Sequence, residues 1–361
     1  MTSKKIKITF IIHALTAGGA QRVMSYLAQN IDKNKFDVTL VVIGFKKDNV
    51  YDLVGIKEVY FNKTRILHSV NAIIKYLKTN KPDIVFSCIV HVNTLVAFIS
   101  VLFPKIKFVA RVANVLSVLK KYEESSKIYF PKFAKVLAYK LVDHLICQSE
   151  DMYEDMVNNY SVSKNKLALI NNPITQNFKI KSKTEKNITP VKFITIARLS
   201  KEKGHERIIN LLSKLKFDFT YTIIGKGKEK EFLLTQIKSK GLNSKINFIE
   251  YTKEIEHYLF VSDIYLQGSY VEGLPNSVIE SCAVGTPVIA FNAPGGINEI
   301  ITNNVNGFVL NTEDEFINCL NDLNREFLFI PEEVSNAVQT KFNAKKITNK
   351  YNVLFQNIVK K

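Results

Sequence analysis

Two glutamates eight residues apart, Glu272 and Glu280, are the side chains of this sequence whose spacing best suits chemistry. They flank a Gly-Leu-Pro-Asn-Ser segment, and residues Ser277 to Val284 suit a helix that Asn276 or Ser277 caps. A helix start offers free N–H groups and a positive dipole to an anion. At about 1.5 Å per helical residue, the carboxylates lie up to roughly 12 Å apart. This layout suits a nucleotide-sugar, with hydroxyl groups at both ends and a diphosphate between them. Two solvated glutamates beside an ordinary loop remain an equal alternative.

A basic segment, Ala-Arg-Leu-Ser-Lys-Glu-Lys-Gly, follows the first predicted strand of the second half and contains Arg198 and Lys203. Their fixed positive charge can neutralise a diphosphate as it becomes a leaving group, without a metal. Arg198 is one of only six arginines in the chain, which strengthens this interpretation. The alternative is a solvated basic loop in a lysine-rich protein.

A glycine pair, Gly18 and Gly19, lies between the first predicted strand and a helix. Glycine allows the backbone to approach a ligand and to direct amide groups at phosphate or sugar oxygens, although a plain tight turn has the same pattern. Neither this pair nor Gly225-Lys-Gly227 has the third glycine of the dinucleotide-binding fingerprint. An NAD-dependent dehydrogenase is therefore disfavoured.

Strands and helices alternate along the whole chain, and these elements must position the residues above. The strand runs are apolar and β-branched without polar alternation, which is typical of parallel strands covered on both faces. Alternation with helices predicts βαβ units. The polar segment 179–190 ends in proline and is interpreted as an interdomain linker. Two doubly wound domains would place a ligand at the carboxyl ends of their strands, in a cleft between them.

Length and composition bound the class of protein. A chain of 361 residues exceeds a typical single core, and 46% hydrophobic residues are ample for packed domains. No apolar run is long enough to span a bilayer, and the N-terminus lacks a signal-peptide cleavage site. The four cysteines lie singly in apolar surroundings, which favours a reducing cytoplasm over disulfides or a zinc site.

The net charge of +17 is distributed unevenly. Residues 1–173 hold 25 Lys or Arg against 13 Asp or Glu, whereas the remainder holds 25 against 20. A basic half predicts a polyanionic partner, nucleic acid or an anionic membrane surface, although a general bias toward lysine accounts for part of the excess. Arginine reads bases and phosphates bidentately, so its scarcity disfavours nucleic acid.

The basic segment 105–140 predicts contact with a membrane surface. It holds nine Lys or Arg against Glu123 and Glu124, and residues 117–141 are predicted to be helical. A basic amphipathic helix with aromatic residues is typical of such contact, whereas a solvated helix face over core aromatics is the alternative. The interleaved aromatic residues are Tyr122, Tyr129, Phe130, Phe133 and Tyr139.

As an ordered set, the Gly-Gly turn, the Arg-Leu-Ser-x-Glu-Lys-Gly segment and the Glu-x7-Glu pair resemble the retaining GT-B glycosyltransferases of family 4. The resemblance covers nearly the whole chain and is strongest to bacterial members that extend lipid-linked oligosaccharides, capsules, O-antigens or teichoic-type polymers. It implies an α/β GT-B fold of two Rossmann-like doubly wound domains facing across a cleft. These would be an N-terminal acceptor-binding domain (1–175), a C-terminal nucleotide-sugar-binding domain (190–343) and a closing helix (344–361). Further matching segments are Leu145-Ile-Cys-Gln-Ser149, Ile170-Asn-Asn-Pro-Ile174 and Gly285-Thr-Pro-Val-Ile-Ala290.

The activity that the resemblance implies is a retaining hexosyltransferase. It would move a hexose or N-acetylhexosamine from a UDP-sugar to a growing, lipid-linked glycan in surface polysaccharide biosynthesis. Family members need no metal or other cofactor, and this chain has no Asp-x-Asp motif. The enzyme would be cytoplasmic and peripheral on the inner face of the cell membrane, through segment 105–140. The alternative is a GT-B nucleotide-sugar epimerase or phosphorylase without a lipid acceptor.

Site roles follow residue by residue from the same resemblance. Glu272 would bind hydroxyls of the transferred sugar, Glu280 would bind the ribose, and Arg198 with Lys203 would bind the diphosphate. Of these, Glu272, Arg198 and Lys203 would be catalytic. The other donor contacts would be Gly18, Gly19, Gly225, Tyr251, Gly273, Leu274, Asn276 and Ser277.

On the acceptor side, His91 and Asn93 match a recurrent His-x-Asn pair of the family. They are interpreted as contacts to the acceptor or donor sugar, His91 with a catalytic role. The alternative is that Asn93 caps a helix and His91 makes a satisfied polar contact. Many relatives carry histidine where this chain has Ala113, and only Asn114 agrees with their pattern, so acceptor-side help from that strand end is in doubt.

Overall fold

Apolar, parallel strands form two separate sheets in the computed structural model, which describes residues 4–122, 130–182 and 190–360. The first unit is built from the described residues of Met1–Ser117, Glu123–Thr175 and Ala344–Lys361. The second is built from those of Val118–Tyr122 and Gln176–Asn343. Glu123, Glu124, Tyr129 and most of the predicted linker lie outside the described residues.

The first unit contains a seven-stranded parallel sheet in the order β3-β2-β1-β4-β5-β6-β7. The last five residues of β1 and all five of β4 are buried, as the apolar runs predict. The strands are β1 (Ile6–Ile12), β2 (Phe36–Val42), β3 (Lys57–Tyr60), β4 (Ile84–Cys88), β5 (Lys107–Arg111), β6 (His144–Cys147) and β7 (Leu167–Leu169). The helices up to the second sheet are α1 (Gly19–Asn30), α2 (Val70–Asn80), α3 (Val90–Ser100), α4 (Leu116–Leu119), α5 (Lys132–Leu141) and α6 (Glu150–Tyr160).

The second unit contains a six-stranded parallel sheet in the order β10-β9-β8-β11-β12-β13. Its strands are β8 (Val191–Ile196), β9 (Phe219–Ile224), β10 (Ile246–Ile249), β11 (Ile264–Gln267), β12 (Val288–Phe291) and β13 (Gly307–Leu310). Its helices are α7 (His205–Leu212), α8 (Lys230–Ser239), α9 (Ile255–Val261), α10 (Asn276–Val284), α11 (Ile297–Ile300), α12 (Glu313–Arg325) and α13 (Pro331–Gln339).

The C-terminal helix α14 (Ala344–Lys360) belongs to the first unit. Its buried Tyr351 and Phe355 lie against Phe86 of β4, with ring centroids 5.9 and 5.3 Å away, and Phe355 also meets Phe36 of β2. Burying aromatic side chains of this size is strongly favourable, so the helix completes the first hydrophobic core.

The order of the strands reverses at one point in each sheet. In the first unit β1 lies between β2 and β4, and in the second β8 lies between β9 and β11. The loops leaving β1 and β4, and those leaving β8 and β11, therefore diverge to opposite faces. Ligands of doubly wound sheets bind in the crevice that this divergence opens at the carboxyl ends of the strands.

The alternation of strands and helices is confirmed, but two local predictions are wrong and one strand was not predicted. Asn276 and Ser277 do not cap α10, because they are the first two residues of the helix itself. The cap position is Pro275, and no side-chain hydrogen bond caps the helix there. The helix predicted over 117–141 is interrupted, because α4 ends at Leu119 and α5 begins only after Pro131. Strand β3 was not predicted, since its four residues lack a buried apolar run.

Candidate active site

Lys203 and Glu272, 69 residues apart in the sequence, form an ion pair at the strand-order reversal of the second unit. Nζ of Lys203 donates to both carboxylate oxygens at 2.7 Å. The two side chains are only 13% and 8% exposed. Removing one partner of so buried a pair leaves an uncompensated charge, which is strongly destabilising.

Two further donors fix the orientation of the Glu272 carboxylate. Nε2 of Gln267 and Oγ of Ser269 donate to Oε1 at 2.8 and 2.6 Å, and both residues are buried. Among the described residues, Oε1 therefore accepts three hydrogen bonds and Oε2 accepts one, from Lys203. The carboxylate keeps acceptor capacity on Oε2 for a ligand hydroxyl.

Gly204 makes the contact between Lys203 and Glu272 sterically possible. It has φ +61°, a conformation that glycine adopts at little cost, and it ends the short 3-10 turn Lys201–Lys203. A Cβ at this position would lie 1.9 Å from the carbonyl oxygen of Gly268. The turn after β8 and the loop after β11 thus touch through their backbones, and only glycine fits between them.

The Arg198 guanidinium forms an ion pair with Glu202, and most of the side chain is exposed to solvent. Its NH2 group lies 3.2 Å from Oε1 of Glu202, while 71% of its side chain is exposed. Glu202 is itself held, because its carbonyl accepts from the N–H of Tyr270 at 2.8 Å. The sequence interpretation missed Glu202, although its spacing of four residues from Arg198 was a readable signal. The exposed guanidinium is available to an anion at this edge of the sheet.

His205 contacts the backbone of the basic segment 197–204, called the Arg198 segment below. Its Nε2 lies 2.9 Å from the carbonyl oxygen of Arg198, and since a carbonyl only accepts, Nε2 carries the proton. Burial lowers the pKa of His205 to about 4, so the ring is neutral at neutral pH. Apart from its place after Gly204, nothing in the sequence indicates this role.

We expect His205 to make the folded protein less stable as the pH falls from 6.5 toward 4. The pKa drops from 6.5 in the unfolded chain to about 4 in the fold, so only the unfolded state gains a proton in this window. The stability contribution is complete above pH 6.5, and about 3 kcal/mol is lost by pH 4. Urea unfolding between pH 7.5 and 4.5 measures the slope.

His205→Gln should flatten that slope, because glutamine still donates to the Arg198 carbonyl but does not titrate. The same substitution at His257, exposed on α9, is the matched control and should leave the slope intact. Equal pH dependence in wild type and His205→Gln would contradict the assignment.

The Gly225-Lys-Gly227 turn packs against the Arg198 segment. A Cβ on Gly225 would lie 1.9 Å from the carbonyl oxygen of Ala197, and the Lys226 carbonyl accepts from the N–H of Leu199 at 3.1 Å. Gly225 also donates to the carbonyl of Ile249, at the end of neighbouring strand β10. Tyr251, two residues further, is exposed beside it. The structure brings these elements together, and their contact with a base stays a prediction.

Helix α10 is held at its start by Tyr265 of β11. The Tyr265 hydroxyl accepts from the N–H of Ile196 at 3.1 Å and donates to the Ser277 hydroxyl at 2.9 Å. Burial raises the pKa of Tyr265, which keeps this donor protonated. Asn276 is half-buried and Glu280 is buried on the same helix. The predicted ribose contact of Glu280 stays a prediction.

The loop that carries Glu272, Gly273 and Leu274 is buried. Its backbone packs against a glycine pair, Gly295 and Gly296, that the sequence interpretation missed. Gly295 has φ +128°, and a Cβ there would lie 2.5 Å from the Glu272 carbonyl oxygen. The N–H of Gly296 donates to the Gly273 carbonyl at 2.6 Å. A second Gly-Gly sequence after a predicted strand was the available signal.

In the first unit, Gly18 and Gly19 lie exposed at the start of α1, directly after β1. The Tyr51 hydroxyl accepts from the N–H of Gly18 at 3.0 Å and lies 2.9 Å from its carbonyl oxygen. Tyr51 therefore fixes this turn, although no motif in the sequence points to it. Donor contact by the two glycines stays a prediction.

The predicted acceptor residues of the same unit differ in exposure. Asn93 is buried: its side chain accepts from Oγ of Ser87 at 2.8 Å and donates to the Arg111 carbonyl at 2.9 Å, joining β4 to β5. The capping alternative is wrong, because α3 begins at Val90. A sugar contact by Asn93, whose side chain is buried, stays a prediction.

His91, in the first turn of α3, is half-buried. Asn114 is also half-buried, and its side-chain oxygen accepts from the N–H of Val115 at 2.8 Å. Their acceptor roles stay predictions.

The aromatic residues of segment 105–140 have different environments. Tyr139 is buried edge-on to Tyr160, with ring centroids 5.7 Å apart, so for this residue the core alternative holds. Tyr122 stacks on Tyr270 within the second unit, at 5.5 Å. Phe133 on α5 is 75% exposed, and it lines a groove of about 520 Å³ together with Lys132, Val136, Leu137 and Lys140. In the described ranges, no helix has the length and apolarity needed to cross a membrane.

Family models match the chain in two adjoining parts. Residues 17–177 match the model described as Glycosyltransferase Family 4, and residues 176–325 match that described as Glycosyl transferases group 1. The chain is a glycosyltransferase. The two matches meet where the first structural unit gives way to the second, at Thr175 and Gln176.

Similar proteins cover nearly the full length of this glycosyltransferase. A Campylobacter jejuni N-acetylgalactosamine-N,N'-diacetylbacillosaminyl-diphospho-undecaprenol 4-alpha-N-acetylgalactosaminyltransferase is 24% identical, over 86% of this chain and 87% of its own. The Escherichia coli O-antigen biosynthesis glycosyltransferase WclY is 23% identical, over 98% and 99%. The structure of Anabaena Alr3699/HepE in complex with UDP superposes with a TM-score of 0.76 at 18% identity, over 98% and 100%. The predicted GT-B fold, with two Rossmann-like parallel-sheet domains, is confirmed.

Proposed function

We propose that this glycosyltransferase is a retaining enzyme that moves a hexose or N-acetylhexosamine from a UDP-sugar to a lipid-linked glycan in surface polysaccharide assembly. One observation carries the donor part of the proposal. The buried Lys203–Glu272 pair and the exposed Arg198 guanidinium both lie in the loops at the strand-order reversal of the second unit. That arrangement would offer an acceptor for sugar hydroxyls and two cations for a diphosphate at one edge of the sheet.

Lys203 would couple the two ends of the donor. An ammonium group has three N–H donors, and the Glu272 carboxylate engages it with both oxygens, which leaves donor capacity for a phosphate oxygen. Arg198 would bind the diphosphate through the guanidinium nitrogens that Glu202 does not occupy. Their fixed charges would stabilise the leaving diphosphate, and we propose that no metal is required.

Glu272 would position the sugar rather than attack it. Its carboxylate is committed to three protein side chains, which makes it a poor nucleophile but a rigid acceptor for hydroxyl groups. The acceptor hydroxyl would attack the anomeric carbon on the face from which UDP departs. The new C–O bond forms as the bond to the phosphate breaks, and the departing phosphate oxygen takes the acceptor proton. Glu280 would bind the ribose.

The first unit would bind the acceptor at the membrane surface. Helix α5 presents exposed Phe133 and Leu137 between Lys132 and Lys140, a combination that suits the anionic inner leaflet. The name of the Campylobacter relative specifies a diphospho-undecaprenol acceptor, and that of the Escherichia coli relative specifies O-antigen biosynthesis. These names support a lipid-linked acceptor for this chain.

The test is transfer by the purified protein from a panel of UDP- and GDP-sugars to bacterial membrane extracts, with EDTA present. We expect one UDP-sugar to be used, and NMR of the product to show the anomeric configuration of the donor. Arg198→Ala should lower kcat/KM by about 100-fold or more. Arg325→Ala, 80% exposed on α12, is the matched control and should leave it unchanged.

Undiminished transfer by Arg198→Ala would refute its assigned role, and an inverted product would refute retention. Conversion of a UDP-N-acetylhexosamine to its epimer without an acceptor would favour the epimerase alternative.

A further inference from the structure

Arg207, on helix α7, forms hydrogen bonds with the loop that follows β11. Its Nε donates to the carbonyl oxygen of Gly268 and its NH2 donates to that of Ser269. Ser269 is the residue whose hydroxyl donates to Glu272 at 2.6 Å. One guanidinium thus sets the backbone from which the Glu272 carboxylate is oriented.

Two aromatic rings hold this guanidinium in place. Its Cζ lies 4.1 Å from the ring centroid of Tyr270 and 3.9 Å from that of Phe291. Phe291 packs in turn on the buried Phe316, at 4.6 Å between centroids. Cations stacked on aromatic faces are attracted by the ring quadrupole, and the attraction grows when water is excluded. Burial lowers the pKa of Arg207 to about 10, so it stays charged at neutral pH.

Only arginine has the geometry for this task. The planar fork supplies two N–H donors to adjacent carbonyls while its flat surface lies over the rings of Tyr270 and Phe291. A lysine at the same position would keep the charge, but its ammonium cannot make two fixed in-plane bonds and a flat stack together.

We propose that Arg207 is a positioning residue for Glu272. By fixing the Gly268 and Ser269 carbonyls, it holds the Ser269 hydroxyl on Oε1 and so directs Oε2 toward the sugar of the donor. The inference rests on the proposed function, because it takes Glu272 to be the residue that binds that sugar. Arg207 itself would touch neither substrate.

The expected result is a loss that is specific to the sugar. Arg207→Lys should lower kcat by about 10- to 100-fold, since a displacement of about 1 Å at a positioning group has effects of that size. Binding of UDP alone should stay within twofold of wild type, because Arg198 and Lys203 remain. Ser269→Ala should show the same pattern. The double variant should lose no more kcat than the less active of the two single variants, because both substitutions act through one hydrogen bond.

The experiment combines kinetics with thermal shift of the full chain. The probes are UDP, UDP-glucose, UDP-galactose, UDP-N-acetylglucosamine and UDP-N-acetylgalactosamine. In wild type the preferred UDP-sugar should raise Tm beyond the rise given by UDP, and Arg207→Lys should lose at least half of that increment while it keeps the rise with UDP. Arg325→Lys is the matched control and should behave as wild type.

Each result decides one claim. If Arg207→Lys keeps the full sugar increment and kcat, or if the losses of Arg207→Lys and Ser269→Ala multiply, the positioning role is refuted and the proposed function stands. A parallel loss of the UDP shift in Arg207→Lys would also refute it, because the residue would then be merely structural. If wild type shows no sugar increment and no transfer, the proposed function fails, and this inference fails with it.

Discussion

Gly204→Ala is expected to lower kcat/KM for sugar transfer by at least about 100-fold and to destabilise the second unit by about 3 kcal/mol, from left-handed strain and overpacking together. The new methyl group would lie 1.9 Å from the Gly268 carbonyl oxygen, so the turn after β8 must move away from the loop after β11. That movement separates Lys203 from Glu272. Because a displacement of about 1 Å at such a site costs about 100-fold in rate, kcat/KM should fall by at least that factor.

Gly241 offers a matched control for this substitution. It lies in the same unit with φ +68°, close to the +61° of Gly204, but a Cβ there meets no atom within 4 Å. Gly241→Ala should therefore show the left-handed strain alone, about 1 kcal/mol, and full activity. Urea unfolding and kcat/KM of the two variants separate strain from collision. Similar losses in both variants, or full activity in Gly204→Ala, would show that the close approach does not matter.

The fold could be predicted because its signals are local. The apolar strands and the amphipathic helices each occupy a continuous run of the chain, so their order alone implies parallel, doubly wound sheets. Candidate site residues that fall within one short run could also be selected from the sequence. Arg198 and Lys203 lie five residues apart, and Glu272 and Glu280 lie eight apart, at loops that leave strands.

What the sequence could not predict are contacts that depend on which strands are neighbours. The ion pair of Lys203 with Glu272 exists because β8 and β11 pair directly, although β9 and β10 separate them in the chain. The role of Arg207 could not be predicted either, because its hydrogen-bond partners lie 61 and 62 residues away in the sequence. Asn93 was selected from its spacing to His91, but its burial follows from the pairing of β4 with β5.

Burial also explains why a residue that was predicted to lie on the surface belongs to the core. Tyr139 was counted with the aromatic residues of a basic surface, yet its face of α5 turns to the core, while Phe133 on the same helix faces solvent. Charge and aromatic content cannot separate the two faces when lysines are spread along the whole segment. Helix phase, set by the break at Pro131, decides between them.

The buried pair itself gives the sharpest separation of stability from catalysis. We expect Lys203→Met and Glu272→Gln each to destabilise the protein by about 3 kcal/mol, because each leaves one charge buried or poorly paired. The double variant should lose less than the sum of the two, with a coupling energy of about 1–3 kcal/mol. Activity should behave differently: each single variant should lose at least about 100-fold in kcat, and the double variant should recover none of it.

The exposed pair of Lys214 and Glu313 is the control for this cycle. Its N–O distance is 2.8 Å, against 2.7 Å for the buried pair, but its side chains are 52% and 46% exposed, so water screens the two charges. Lys214→Met and Glu313→Gln, alone or together, should change neither stability nor kcat measurably. Recovery of stability without recovery of activity would mean that Lys203 and Glu272 are retained for what they bind. Recovery of both would reduce the pair to a structural contact, and the donor site would then have to lie elsewhere in the chain.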